Sequence, residues 1–127
     1  MTIAQVSKLY ELTPDTLRYY ERIGLLVNVP RNKNGIRNYD EDSCKRIEFI
    51  KCMRNAGVGI EILIDYMTLL EQGKSTVKAR KKLLEEQREK LLETQKKITE
   101  TLNRLDYKIE IYNEIIAGKR KDFTENI

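Results

Sequence analysis

Between residues 16 and 39 the chain gathers the side chains from which a polyanion site can be built: Thr16, Arg18, Tyr19, Tyr20 and Arg22, then Arg31, Lys33, Arg37 and Tyr39. Glu21 is the single acid in that interval. Guanidiniums, hydroxyls and phenols are the donors that hold phosphate oxygens and reach base edges in a major groove. A patch of this sign favours a polyanion, with an affinity that falls steeply as salt rises. The competing description is an amphipathic helix with solvated arginines, followed by a solvated basic hairpin.

Other chemistries are poorly supplied. The chain has no histidine, which removes Ser-His and Cys-His nucleophile pairs, HExxH metal sites and the usual zinc fingers. We therefore expect no enzyme, no metal and no cofactor. Cys44 and Cys52 are too few for a disulfide scaffold and lack CxxC spacing, so reduced thiols in a cytoplasmic protein are expected. No basic-then-apolar leader opens the sequence, and no run approaches the roughly 20 apolar residues that span a bilayer. With 127 residues, 35% of them charged and a net charge of +4, the chain has room for one small domain with an extension.

The elements that must position the basic residues follow from capping and periodicity. Thr2 can cap a first helix in which Ile3, Val6 and Leu9 or Tyr10 recur at helical spacing. A short turn leads to a second helix within residues 12–26, with Thr13 as N-cap, Pro14 in the first position and Asp15 where the helix dipole favours an acid. Leu17, Tyr20 and Ile23 share its inward face, which leaves Thr16, Arg18, Tyr19 and Arg22 outside. The pair makes a helix-turn-helix. Gly24 ends the second helix, and Leu25 and Leu26 anchor its exit.

Residues 27–40 read as a hairpin wing, with Val27 and Val29 on one arm, Ile36 and Tyr39 on the other and Asn34-Gly35 near the tip. Pro30 suggests an edge strand, and Arg31, Lys33 and Arg37 should project from the loop toward a phosphate backbone. Asp40 or Asp42 caps a third helix over 41–55 with Ile47, Ile50 and Met53 inward. After Ala56-Gly57-Val58-Gly59, a fourth helix over 60–70 turns Ile60, Leu63, Ile64 and Met67 to the core.

From Ser75 the sequence holds strong helix formers without Gly or Pro as far as Gly118, enough for a helix of roughly 65 Å. Val77, Leu84, Leu91, Ile98, Leu105 and Tyr112 recur every seven residues, joined by Leu102, Ile109 and Ile116 in the C-terminal half. This is a coiled-coil heptad, and it favours a homodimer. Lys81 and Arg88 on the seam would face their own copies in a parallel pair, so antiparallel pairing is preferred. The expected fold is mostly α: a winged helix-turn-helix domain over 1–72, a dimerisation helix over 73–118 and a short polar tail over 119–127.

This order of parts resembles the MerR family of bacterial transcription regulators. The resemblance is carried by TIAQVSKLYELTPDTLRYYERIGLL, by the wing ending GIRNYDEDSCKRIEFI and by MRNAGVGIEIL. It implies an antiparallel coiled-coil dimer on a pseudo-palindromic promoter, whose elongated spacer is bent and untwisted for RNA polymerase. It also implies that Arg18, Tyr19 and Tyr20 are recognition-helix contacts and that Arg37 and Tyr39 are wing and backbone contacts, although Tyr20 falls on the inward face.

Metal-sensing members carry cysteines near the start of the long helix and in a loop after it, where this chain has none. Drug-sensing members carry a large C-terminal domain, for which little chain remains. Cys52, in IEFIKCMRNAGV, resembles the adhR/nmlR-like branch linked to aldehyde and thiol stress. A thiolate there can add to aldehydes or other electrophiles, and Lys51, Arg54 and Glu48 place both signs of charge around it. Cys44 is two helical turns away, roughly 12 Å along the axis and too far for a disulfide. Two other functions fit the sequence: an effector-independent architectural DNA-binding regulator, and a coiled-coil interaction adaptor.

Overall fold

A computed structural model describes residues 1–121. Its helices are α1 (Ile3–Tyr10), α2 (Pro14–Arg22), α3 (Glu41–Asn55), α4 (Ile60–Glu71) and α5 (Val77–Ile116), with a 3-10 turn at Lys74–Thr76. The chain divides into two compact units, Met1–Gln87 and the residues from Arg88 onward. The division falls within α5, beyond the loop at Gly73.

In the first unit the starts of α1, α2 and α3 are set by side chains, whereas α4 follows Gly59 with no side-chain cap. The Thr2 hydroxyl accepts from Gln5 N at 3.1 Å, while the Gln5 carboxamide accepts from Thr2 N at 2.8 Å, closing a reciprocal capping box. Thr13 caps α2 by accepting from Thr16 N at 3.1 Å, with Pro14 in the first turn. Of the two acids expected at the start of α3, Asp40 is the cap and accepts from Ser43 N at 2.8 Å. Gly24 ends α2 at φ 82, a left-handed conformation that costs glycine least. The turn lets Leu25 N and Leu26 N donate to the Tyr20 carbonyl at 2.9 and 3.0 Å.

Those bonds drop Leu25 and Leu26 into the core with Val6, Leu17, Ile47 and Ile50, all fully buried, and with Tyr20, Tyr39, Val58, Leu63 and Met67. Each such side chain removed from water stabilises the fold by about 1.5–3 kcal/mol. Of the alternatives in α1, Tyr10 packs against this core and Leu9 faces solvent. The third helix turns Ile47 and Ile50 inward and the fourth Leu63 and Met67, with Met53 and Ile64 packed at the core margin; Ile60, expected inward, is half-buried outside that cluster.

The wing departs from the expected hairpin. Among the described residues no strand forms, and residues 27–40 hold a single antiparallel bridge, Arg31 to Arg37. The reason is chemical. Pro30 has no N–H to donate, and the Asn32 carboxamide accepts from Asn34 N at 2.9 Å and Ile36 N at 3.0 Å, saturating the tip with local bonds. Asn32 N to the Ile36 carbonyl (2.8 Å) and Asn38 N to the Pro30 carbonyl (2.7 Å) close the neck. A tight loop replaces the two-armed ribbon.

In the second unit, α5 continues without interruption to Ile116. Its apolar seam faces solvent in the single chain: Ile98, Leu102, Leu105, Ile109, Tyr112 and Ile116 are between 49% and 84% exposed. Earlier in α5, Leu84 is exposed and Leu91 half-buried. No helix among the described residues is long and apolar enough to cross a membrane. Residues 122–127 of the expected polar tail lie outside the described residues.

Candidate nucleic-acid interface

The outer face of α2 is ordered by contacts among its own side chains. The Thr16 and Thr13 hydroxyls lie 2.8 Å apart at the helix start. Arg18 Nη1 reaches Asp15 Oδ1 at 3.1 Å across one turn, both side chains in solvent. Such a pair contributes little to stability, and it leaves the guanidinium ready to exchange the carboxylate for a phosphate. Tyr19 is exposed, and the Arg22 guanidinium carbon lies 5.3 Å from its ring centroid, a cation–π distance. The pair sets a positive charge over an exposed aromatic face.

Three expected contacts stand differently. Tyr20 is buried in the core, as its helical position predicted and unlike the contact role implied by the family resemblance. Arg31 and Arg37 do not project from the loop. Both fold back onto α2, where Arg31 Nη2 reaches Glu21 Oε2 at 3.0 Å and Arg37 Nε reaches Glu21 Oε1 at 3.0 Å. Arg37 Nη2 adds a bond to Oε2 at 3.4 Å, and Arg31 Nη1 donates to the Gly35 carbonyl at 3.0 Å. Glu21, the single acid between residues 16 and 39, pairs with both guanidiniums, and its hydrogen bonds hold Arg37 above the usual arginine pKa. Lys33 remains exposed in the loop.

Tyr39 is the third. Its ring is 2% exposed, and its hydroxyl is buried with no hydrogen-bond partner among the described residues. Burial pushes the phenol pKa up, with Arg37 opposing, Glu21 reinforcing, and Arg18 and Arg31 opposing. Tyr39 N donates to the Met1 carbonyl at 2.8 Å, so its backbone is fixed as well. In this structure Tyr39 supports the loop from below and is not presented on its surface. The residue that sequence reasoning missed is Glu21. The available signal was its isolation among five cations.

Cys52 is exposed on α3 and Cys44 half-buried. The cations beside Cys52 are committed elsewhere: Lys51 Nζ lies 3.8 Å from Glu11 Oε2, and Arg54 Nη1 donates to the Val58 carbonyl at 3.0 Å. Cys44 Sγ is 3.9 Å from Met1 Sδ, and the Tyr10 phenol has its pKa raised, chiefly by burial and then by Cys44. No group of three or more His, Cys, Asp or Glu among the described residues is placed to hold a metal ion.

A capped helix pair, a basic loop pinned to the second helix and a long helix with an open apolar seam define a helix-turn-helix regulatory protein. Residues 1–70 match the family model of MerR HTH regulatory proteins. The chain belongs to that family, whose members are regulators and not enzymes. It is 58% identical over 91 residues to the HTH-type transcriptional regulator AdhR of Bacillus subtilis (strain 168), a match covering 72% of this chain and 65% of that one. It is 33% identical over 67 residues to ZntR of Escherichia coli (strain K12), covering 53% of this chain and 48% of that one. The chain thus spans less than two thirds of the length of these relatives.

Solved structures agree over a longer stretch. A crystal structure described as a MerR-family transcriptional regulator from Listeria monocytogenes superposes with a TM-score of 0.90 at 39% identity, covering 94% of this chain and 91% of that one. HiNmlR, described as a MerR-family regulator lacking the sensor domain and bound to promoter DNA, superposes with a TM-score of 0.83 at 25% identity, covering 91% and 92%.

Proposed function

We propose that this protein is a transcription regulator that binds promoter DNA as a homodimer. In this reading α2 enters the major groove with Thr16, Arg18, Tyr19 and Arg22, while Arg31, Lys33 and Arg37 hold the adjoining backbone. Tyr20 and Tyr39 act from inside, by fixing α2 and the loop. The observation that carries the reading is the exposed Tyr19–Arg22 and Arg18 surface of α2 with the basic loop docked beside it. The promoter-bound HiNmlR, of similar fold, supports it. The seam Leu84, Leu91, Ile98, Leu102, Leu105, Ile109, Tyr112 and Ile116 pairs two chains. The dimer bends and untwists the promoter for RNA polymerase, a deformation offset by backbone contacts.

The test is equilibrium binding of the full chain to duplexes selected from a random library, repeated across salt concentrations. A specific complex whose log Kd rises linearly with log salt is expected. If no duplex is enriched, the interaction-adaptor reading takes its place.

The signal enters at Cys52 in the same proposal. Its exposure supports a thiol that aldehydes or other electrophiles can reach, and adduct formation changes how the bound promoter is bent. Cys52→Ser should abolish aldehyde-dependent transcription from the selected site while leaving DNA affinity unchanged. Undiminished induction in that variant would leave the effector-independent architectural reading.

A further inference from the structure

We infer that Glu21 is a positioning residue of the DNA-binding surface. Its carboxylate fixes the 31–37 loop against α2, and so sets where the loop's guanidiniums meet the DNA backbone relative to the side chains that reach the bases. The inference rests on the DNA-binding reading above.

The geometry is specific. Arg31 and Arg37 face each other in the loop's single antiparallel bridge, and both reach the same carboxylate. Glu21 Oε1 accepts from Arg37 Nε, and Oε2 accepts from Arg31 Nη2 and Arg37 Nη2. One side chain of α2 therefore grips both sides of the loop's neck. The bonds that shape the loop tip, donated by Asn34 N and Ile36 N to the Asn32 carboxamide oxygen, lie within the loop. Without a β-ladder, Glu21 is the polar side-chain tie between loop and recognition helix among the described residues.

The planar fork of a guanidinium explains why the tie orients and does not merely neutralise. Donors engaged by the carboxylate fix the plane, and the unused N–H groups then point in defined directions, available to phosphate. Charge alone would argue against an acid at this position, since a carboxylate in a basic face lowers affinity for any duplex. That cost falls on every sequence equally, whereas fixing the register between loop and α2 helps only the duplex that fits both. Glu21 thus trades general affinity for discrimination.

Glu21→Gln keeps the size and removes the charge; Arg37→Lys keeps the charge and removes the fork. Glu21 and Arg37 are both partly exposed, so neither change opens the core. The probes are the duplex selected by the wild-type full chain and a scrambled duplex of the same composition. Glu21→Gln should bind the scrambled duplex at least as tightly as wild type, with a salt slope steeper by about 1. It should bind the selected duplex about tenfold more weakly, so the specificity ratio falls by about tenfold or more. Arg37→Lys should lower the ratio too, and the double variant should be no worse than the poorer single one.

Selected and scrambled affinities rising together in Glu21→Gln, or a ratio unmoved in both single variants, would overturn the inference while leaving the DNA-binding reading intact. Failure of the wild-type chain to form any salt-dependent duplex complex would overturn both.

Discussion

The Arg22 guanidinium stacks on the exposed ring of Tyr19, 5.3 Å from carbon to centroid, so the two residues present themselves from α2 as one unit. Cation–π contacts at exposed sites are worth about 0.5–1 kcal/mol, enough to bias two long side chains toward one arrangement before DNA arrives. Tyr19→Phe keeps the ring and loses the phenol; Tyr19→Leu loses both. If the ring's main task is to hold Arg22, Tyr19→Phe should bind the selected duplex within about threefold of wild type and Tyr19→Leu about tenfold more weakly. Equal losses in the two variants would show that the hydroxyl itself makes the contact.

Leu17 and Leu9 test what the packing implies. Leu17 is fully buried beneath α2, whereas Leu9 on α1 is 58% exposed. Leu17→Ala should cost about 2–5 kcal/mol in urea unfolding, as a cavity in a close-packed core does. Leu9→Ala should stay within about 0.5 kcal/mol.

Much of this arrangement was legible because it is local. Thr2, Thr13 and Asp40 announce helix starts through their own side chains, Gly24 announces a stop, and the three-residue spacing of Leu17, Tyr20 and Ile23 marks an inward face. Leu9 against Tyr10 was undecided in the sequence, since adjacent apolar residues at a helix end fit the same period. The wing keeps only one antiparallel bridge because its length depends on competition: the Asn32 carboxamide takes the backbone donors of Asn34 and Ile36 at the tip. The docking of Arg31 and Arg37 was invisible for a different reason. It links residues 10 and 16 positions from Glu21, and no periodic signal reports a contact between a helix and a loop.

Asp40 carries a pH dependence with a definite sign. The backbone N–H of Ser43, and then its side chain, hold the Asp40 carboxyl below its ordinary value of 3.8. A carboxylate favoured in the folded state stabilises the fold above the unfolded pKa, and this contribution is lost as pH falls through the lower folded value. Asparagine caps a helix without titrating. As pH falls from about 5 to about 2, the melting temperature of the wild type should therefore drop further than that of Asp40→Asn. Parallel melting curves for the two proteins across that range would place the titration elsewhere.

The seam on α5 makes the strongest demand on a partner. Leu102 and Ile109 are 52% and 57% exposed in the single chain; Leu102 follows Ile98 by four residues, and Ile109 precedes Tyr112 by three and Ile116 by seven. A two-fold interface counts every substitution twice, so Leu102→Glu with Ile109→Glu removes four apolar side chains from a dimer. At about 1.5–3 kcal/mol each, the loss is about 6–12 kcal/mol before any charge repulsion, comparable to the whole free energy of a micromolar to nanomolar complex. Sedimentation velocity at micromolar concentration should show a dimer for the wild type and a monomer for the double variant. The first unit should keep its helices, because neither residue belongs to its core. Operator binding should fall by far more than the loss of any one phosphate contact, since each monomer retains only one α2. A double variant that still sediments as a dimer would mean that another face of the chain pairs the subunits.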